Sequence, residues 1–169
     1  MLDPTDREDK AKRVRVLFVC MGNICRSPTA EAVFKQLAQC SGLGDHIHSD
    51  SAGTHDYHIG EPPDDRAQQA ARRRGYDLSA LRARQIRRED FTEFDYVLAM
   101  DGHNLQLLAR SCPAEHRGKL TLLMQFSAEQ PGRDVPDPYY GGPQGFEQVL
   151  DMLEDAAQGL LRRIRESLG

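Results

Sequence analysis

Val16-Leu17-Phe18-Val19-Cys20-Met21-Gly22-Asn23-Ile24-Cys25-Arg26-Ser27-Pro28 decides how this chain folds. Residues 14–19 are a compact β-branched and aromatic run, short enough to be a strand buried on both faces of a sheet. A loop follows that begins with Cys20 and reaches Arg26 six positions later. Ser27 reads as a helix N-cap and Pro28 as the first helical residue, where its missing N–H costs nothing. Ala30, Val33, Phe34, Leu37 and Ala38 then recur at i, i+3, i+4, i+7 and i+8, one apolar helix face.

Outward from this unit, strands and helices alternate. Ser41-Gly42-Leu43-Gly44 ends the helix, and a short strand is expected over residues 46–51. Residues 55–63 read as a loop, with Gly60 and Pro62-Pro63 as breakers. A helix over residues 64–74 is stopped by Gly75, and residues 77–88 read as loop with a short helical turn. Residues 94–100 form a buried strand, Asp101 caps a helix carrying Leu105, Leu107 and Leu108, and residues 120–124 make a fourth strand. Residues 130–142, rich in proline and glycine, are irregular. Phe146, Val149, Leu150, Leu153, Ala156, Ala157, Leu160, Leu161, Ile164 and Leu168 mark a long C-terminal helix with a strong core face. Such alternation implies an α/β fold with a parallel sheet covered on both sides. In such sheets ligands sit at the carboxyl ends of strands, where the Cys20 loop lies.

The chain has 169 residues, 39% hydrophobic and 28% charged, which suits one domain with a core that needs no staples. Residues 1–12 read as a mobile tail and residues 13–169 as the domain. No stretch approaches the roughly eighteen apolar residues that span a membrane, and the charged N-terminus does not read as a secretory signal. The four cysteines, Cys20, Cys25, Cys40 and Cys112, have no paired CxxC spacing, so reduced thiols in a cytoplasm are expected. The net charge of −4 argues against a nucleic-acid partner.

A loop between a strand and a helix can turn successive N–H groups inward, making an anion nest at a positive helix N-terminus. Gly22 permits backbone angles other residues resist, and Asn23 tolerates left-handed geometry. Arg26 offers a planar fork matched to two phosphate oxygens. The helix end and the arginine both favour the Cys20 thiolate, a competent nucleophile under a phosphoryl group. The competing structural reading is a buried cysteine at a strand end beside an exposed arginine. The chemistry also needs an acid for the leaving group. Asp137, in Asp134-Val135-Pro136-Asp137-Pro138-Tyr139-Tyr140, is stiffened by prolines and flanked by Tyr139 and Tyr140 as aromatic walls.

The stretch from Val19 to Pro28 followed by Ala30-Glu31 resembles the low molecular weight protein tyrosine phosphatases, as does Asp137-Pro138-Tyr139-Tyr140. So do Asp50-Ser51-Ala52-Gly53-Thr54, Gly60-Glu61-Pro62-Pro63-Asp64, Ala83-Arg84-Gln85-Ile86 and the segment from Phe94 to Asp101. The resemblance implies a three-layer sandwich with a four-stranded parallel sheet of order 2-1-3-4. It implies hydrolysis of phosphotyrosine on proteins through a phosphocysteine, without metal or organic cofactor. Cys20 would be the nucleophile, Arg26 the phosphate clamp and Asp137 the general acid and base. Backbone of Met21, Gly22, Asn23, Ile24, Cys25 and Arg26 would hold the phosphate or another oxyanion. Asn23 and Ser51 would keep the loop in shape, and Ser27 would bond the thiolate. Cys25 would guard Cys20 through a reversible disulfide, and Tyr57 would wall the cleft. Phosphotyrosine proteins, a tyrosine kinase among them, are the implied partners.

The sequence departs from the family in places. Many animal members carry a histidine soon after the serine matching Ser79, bonded to the asparagine matching Asn23; here Ala80-Leu81 follow. Ile24 stands where phosphoarginine-directed relatives carry threonine, which favours phosphotyrosine. Arsenate reduction, the main alternative, needs relay cysteines near residues 90–105, and none lies between Cys40 and Cys112. A redox or phosphate-binding module without turnover has no use for Asp137. The pairs His46/His48 and His55/His58 lack acidic or cysteine partners for a metal. Arg66, Arg72, Arg73, Arg74, Arg82, Arg84, Arg87 and Arg88 form a basic block, either a solvated face or a rim that steers acidic substrates.

Overall fold

β1 (Val14–Cys20) lies inside the sheet with a parallel neighbour on each side. The computed structural model describes residues 14–169, so the tail expected over residues 1–12 lies outside the described residues, as does the side chain of Tyr140. β2 (Ile47–Gly53) pairs on one side of β1 and β3 (Tyr96–Ala99) on the other, and β4 (Leu120–Leu122) pairs with β3. The order is β2-β1-β3-β4, all parallel, as expected.

Alternation along β1 divides the core in two. Val16 and Phe18 belong to the cluster built with α1 (Arg26–Cys40), α2 (Asp65–Arg73) and α5 (Gly142–Leu168). Leu17 and Val19 belong to the cluster built with Phe91 of α3 (Asp90–Glu93) and Leu108 of α4 (Gly102–Ser111). Phe18 meets Phe34 edge to face, with ring centroids 5.6 Å apart. Burying the four residues from Val16 to Val19 completely on both faces explains why this run has no polar alternation.

The structure departs from the sequence expectations at particular joints. α1 starts at Arg26 with Cys25 in the cap position, and no side chain caps it. Ser27 is therefore not the cap; its hydroxyl is committed to the loop. β4 stops at Leu122, because residues 123–126 tighten into a 3-10 turn that buries Leu123 and Met124 beneath α5. The short turn expected in residues 77–88 falls at Ser79-Ala80, closed by Leu81 N–H donating to Leu78 O at 3.1 Å, and an extended segment at the β2 edge follows it. There Gly53 N–H donates to Arg84 O at 2.8 Å and Ile86 N–H donates to Gly53 O at 2.8 Å. Asp64 and Asp101 do cap their helices, accepting from the N–H groups of Arg66 and Ala67 and of Asn104.

The basic block is largely neutralised within the protein. Arg74 pairs with Glu147, Asp151 and Glu154 of α5, Arg84 with Asp50 and Asp90, Arg87 with Asp90 and Glu93, and Arg66 with Asp64. That favours the structural reading over a free electropositive rim.

α5 approaches the 3-10 turn most closely at Gly159, where a Cβ would strike the Phe126 carbonyl oxygen and lie 2.9 Å from its carbon. Both partners are backbone, so neither can swing away. Gly159→Ala should lower stability in urea unfolding by about 1–3 kcal/mol or more through overpacking. Gly118→Ala, which meets nothing within 4 Å, should stay near wild type. Equal stability of the two variants would show that the helix and turn can separate freely.

Candidate active site

The loop after β1 closes on its own first residue. Asn23 N–H donates to Cys20 Sγ at 3.3 Å, and Ser27 Oγ lies 3.0 Å from the same sulfur. The residue in left-handed backbone is Asn23, with φ +56°, and not Gly22. Gly22 instead leaves room: a Cβ there would sit 3.0 Å from the His58 ring. Among the described residues the N–H groups of Gly22, Ile24 and Cys25 have no protein acceptor. They precede the N-terminus of α1, which carries positive partial charge.

The Asn23 side chain holds this shape. Arg84 N–H, which can only donate, reaches Asn23 Oδ1 at 3.0 Å and so fixes the amide orientation. Asn23 Nδ2 then donates to Ser27 Oγ at 2.8 Å and to Ser51 Oγ at 3.0 Å. Ser27 Oγ also lies 3.0 Å from Cys20 Sγ and 3.5 Å from Ala52 O, and Ser51 donates to Glu31 Oε1 at 2.7 Å. The Arg84 backbone thus supports Asn23. Asn23, Ser27, Ser51 and Glu31 are all buried. From the β2 side, Thr54 N–H donates to Cys20 O at 2.9 Å and His55 N–H to Met21 O at 3.0 Å. Gly53 admits this approach, since a Cβ there would be 2.8 Å from Met21 O.

Arg26 is buried, and its Nη1 donates to Asp101 Oδ2 at 2.6 Å and to Val135 O at 3.0 Å. Among the described residues its other nitrogens have no protein partner, and the guanidinium lines the cleft. Burial works against its charge, yet Cys20, Asp101 and Asp137 outweigh it and raise its pKa. Val135 N–H donates to Met100 O at 2.8 Å, stitching the proline-rich loop to the end of β3. Burial pushes the Cys25 thiol up, with the carboxylate of Asp64, then Cys20 and Asp137, adding to it.

Cys20, Met21, Gly22, Ile24, Cys25, Arg26, Tyr57, His58, Asp137 and Tyr139 line one cleft of about 280 Å³. The sequence candidates therefore converge, except that Asn23, Ser27 and Ser51 lie behind the loop. Tyr57 is 67% exposed and stacks on His55, with centroids 5.0 Å apart. His58 is a lining residue that sequence reading passed over as an ordinary histidine; its Nδ1 lies 2.7 Å from Glu61 Oε2. Asp101, Glu31 and Arg84 were visible only as a cap, a helix residue and part of a motif.

A sulfur at the floor of inward-facing N–H groups, with an arginine fork beside it and a carboxyl at the mouth, can hold a tetrahedral oxyanion and meet it with a nucleophile. The chain matches the family model for low molecular weight phosphotyrosine protein phosphatase over residues 15–168. A putative low molecular weight protein-tyrosine-phosphatase of Synechocystis is 46% identical over 156 residues, covering 92% of this chain and 99% of its own. A low molecular weight protein-tyrosine-phosphatase of Streptomyces coelicolor is 45% identical, covering 91% and 95%. The crystal structure of a protein tyrosine phosphatase from Entamoeba histolytica, with Hepes in its active site, superposes with a TM-score of 0.88 at 42% identity. It covers 91% of this chain and 98% of its own. This chain belongs to the low molecular weight phosphotyrosine protein phosphatases and is a phosphoric monoester hydrolase. Among the described residues no helix is long and apolar enough to cross a membrane.

Glu31 gives the support network a pH dependence of its own. Burial raises its carboxyl from 4.5 to about 7, against the Ser51 hydroxyl and with Asp50 adding. Between those values the folded protein keeps a proton the unfolded chain has released, so stability falls as pH rises through the window. The loss should be on the order of 3 kcal/mol. Glu31→Gln, which still accepts from Ser51, should flatten the difference between urea unfolding at pH 5 and pH 8. An unchanged difference would assign the dependence to other groups.

Proposed function

We propose that the protein hydrolyses phosphotyrosine on proteins, and small aryl phosphates, in two displacements on Cys20. The Cys20 thiolate attacks phosphorus, an S–P bond forms, and the ester P–O bond breaks. Asp137 gives its proton to the departing phenoxide. Arg26 and the loop N–H groups balance charge on the equatorial oxygens. Asp137, now a carboxylate, takes a proton from water as it attacks phosphorus. The S–P bond breaks, and the Ser27 hydroxyl stabilises the returning thiolate. Tyr57 and Tyr139 flank the ring of the substrate, with Tyr140 as the further aromatic candidate. Phosphotyrosine proteins are the partners of this reading, and the cytoplasm its setting.

The observation that carries it is that Cys20 and Arg26 of one loop and Asp137, far along the chain, line one cleft whose sulfur accepts from Asn23 N–H and lies 3.0 Å from Ser27 Oγ. Hepes in the active site of the Entamoeba relative, a sulfonate, supports a tetrahedral oxyanion as the group held. Arsenate reduction finds no support, since no cysteine stands between Cys40 and Cys112 to relay a disulfide.

Cys20→Ser should release no phosphate from phosphotyrosine while still binding it. Asp137→Asn should lose about 100-fold or more in kcat/KM on phenyl phosphate and far less on p-nitrophenyl phosphate, whose phenoxide leaves without a proton. Equal losses on both would remove Asp137 from the acid's role.

Peroxide should convert Cys20 to a sulfenic acid, which condenses with the Cys25 thiol, releasing water and forming a disulfide. Thiol should then restore activity, and Cys25→Ser should recover less completely than wild type after equal exposure. Equal recovery would end the guarding role.

A further inference from the structure

An unbroken chain of hydrogen bonds joins the Cys20 loop to Asp137 across the mouth of the cleft. Asp64 N–H donates to Ile24 O at 2.8 Å, fastening the start of α2 to the loop that holds the thiol. The Asp64 carboxylate accepts from Arg66 Nε and Nη2, both at 3.3 Å. Arg66 Nη1 donates to Tyr139 O at 3.2 Å. Tyr139 N–H donates to Asp137 Oδ1 at 3.0 Å.

The guanidinium at the centre of this chain is also held on its faces. Its Cζ lies 5.0 Å from the Tyr139 ring centroid and 5.1 Å from that of Phe146, which is buried at the start of α5. Edge bonds to Asp64 and Tyr139 and face contacts with two rings determine both the position and the tilt of a planar cation. With Asp137 Oδ1 bound to the Tyr139 N–H, the other oxygen is the one free to carry a proton. A general acid works only when that oxygen reaches the leaving group, and small displacements are expensive.

We infer that Arg66 is a positioning residue for Asp137: the Asp64–Arg66 pair is a strut that sets the distance between the thiol loop and the acid. The inference rests on the assignment of Asp137 as general acid. Arg66 touches no reacting atom in this role. Its removal should act only on the protonation of the leaving group, and only while Asp137 is present.

The test compares kcat/KM for phenyl phosphate and p-nitrophenyl phosphate in wild type, Arg66→Met, Arg66→Lys and Asp137→Asn, and in the Arg66→Met/Asp137→Asn double variant. Arg66→Met should lose about 10-fold on phenyl phosphate and less than about 3-fold on p-nitrophenyl phosphate, part of the contribution of general acid catalysis. Arg66→Lys keeps the charge without the planar fork and should fall between Met and wild type. In the Asp137→Asn background Arg66→Met should add no further difference between the two substrates, the signature of two residues acting as one unit. A uniform loss on both substrates, or a leaving-group difference that persists without Asp137, would overturn the strut. Should Arg66→Met not fold, Arg66→Lys is judged by the same two criteria. Failure of the underlying reading looks different: Asp137→Asn itself would then show no leaving-group dependence.

Discussion

One carboxamide determines the shape of the site. Asn23 occupies left-handed backbone, a conformation a non-glycine residue keeps only where its surroundings insist on it. The insistence comes from Arg84 N–H, which fixes which end of the amide accepts. The bonds downstream follow: Asn23 donates to two hydroxyls, Ser27 is held 3.0 Å from the sulfur, and Ser51 turns its proton to Glu31. The position of Arg84 depends on two further things. Its backbone is paired with Gly53 at the β2 edge, and its guanidinium is gripped by Asp50 and the fully buried Asp90. The bonds around the sulfur are thus organised by an edge segment that does not line the cleft.

The remaining parts meet at the carboxyl ends of the strands. β1 ends in Cys20, β2 in Gly53, and β3 leads through Met100 to Asp101. Arg26 bonds both Asp101 and Val135 O, so an arginine that lines the cleft also fastens the loop that carries Asp137. The arginines serve as internal fasteners more than as a field for substrates. Arg74 binds α2 to α5 through three carboxylates, Arg84 locks the β2 edge, and Arg66 spans the cleft mouth. A planar fork with five N–H donors in fixed directions holds two or three partners at set angles, where a lysine offers three donors on a freely turning tip.

What could be read from the sequence was what depends on local pattern. The 14–19 run, the helix face from Ala30 to Ala38 and the long C-terminal periodicity each bury a stripe whose spacing is visible in the chain, and each was found at nearly the expected bounds. Asp64 and Asp101 announce their helices because capping is a short-range bond. Ser27 misled for the same reason. A serine before Pro28 suits a cap, but a stronger tertiary demand takes its hydroxyl to Cys20 and Asn23. The stop of β4 at Leu122 was hidden because residues 120–124 are apolar except for Thr121, and only contact with α5 turns Leu123 and Met124 inward. Residues that line the cleft through motif stood out. His58 and the Arg84 support did not, since both matter through neighbours distant in the chain.

The order of the strands bears on how the protein comes into being. β1 and α1 are made well before α5, the helix that covers α1. A growing chain that has released its thiol loop therefore still lacks the cover for Phe34 and the carboxyl across the cleft. Contacts between chain ends carry a large loop-closure penalty before they are rewarded. The Cys20 loop thus gains its finished surroundings only when segments far apart in the chain have closed on it.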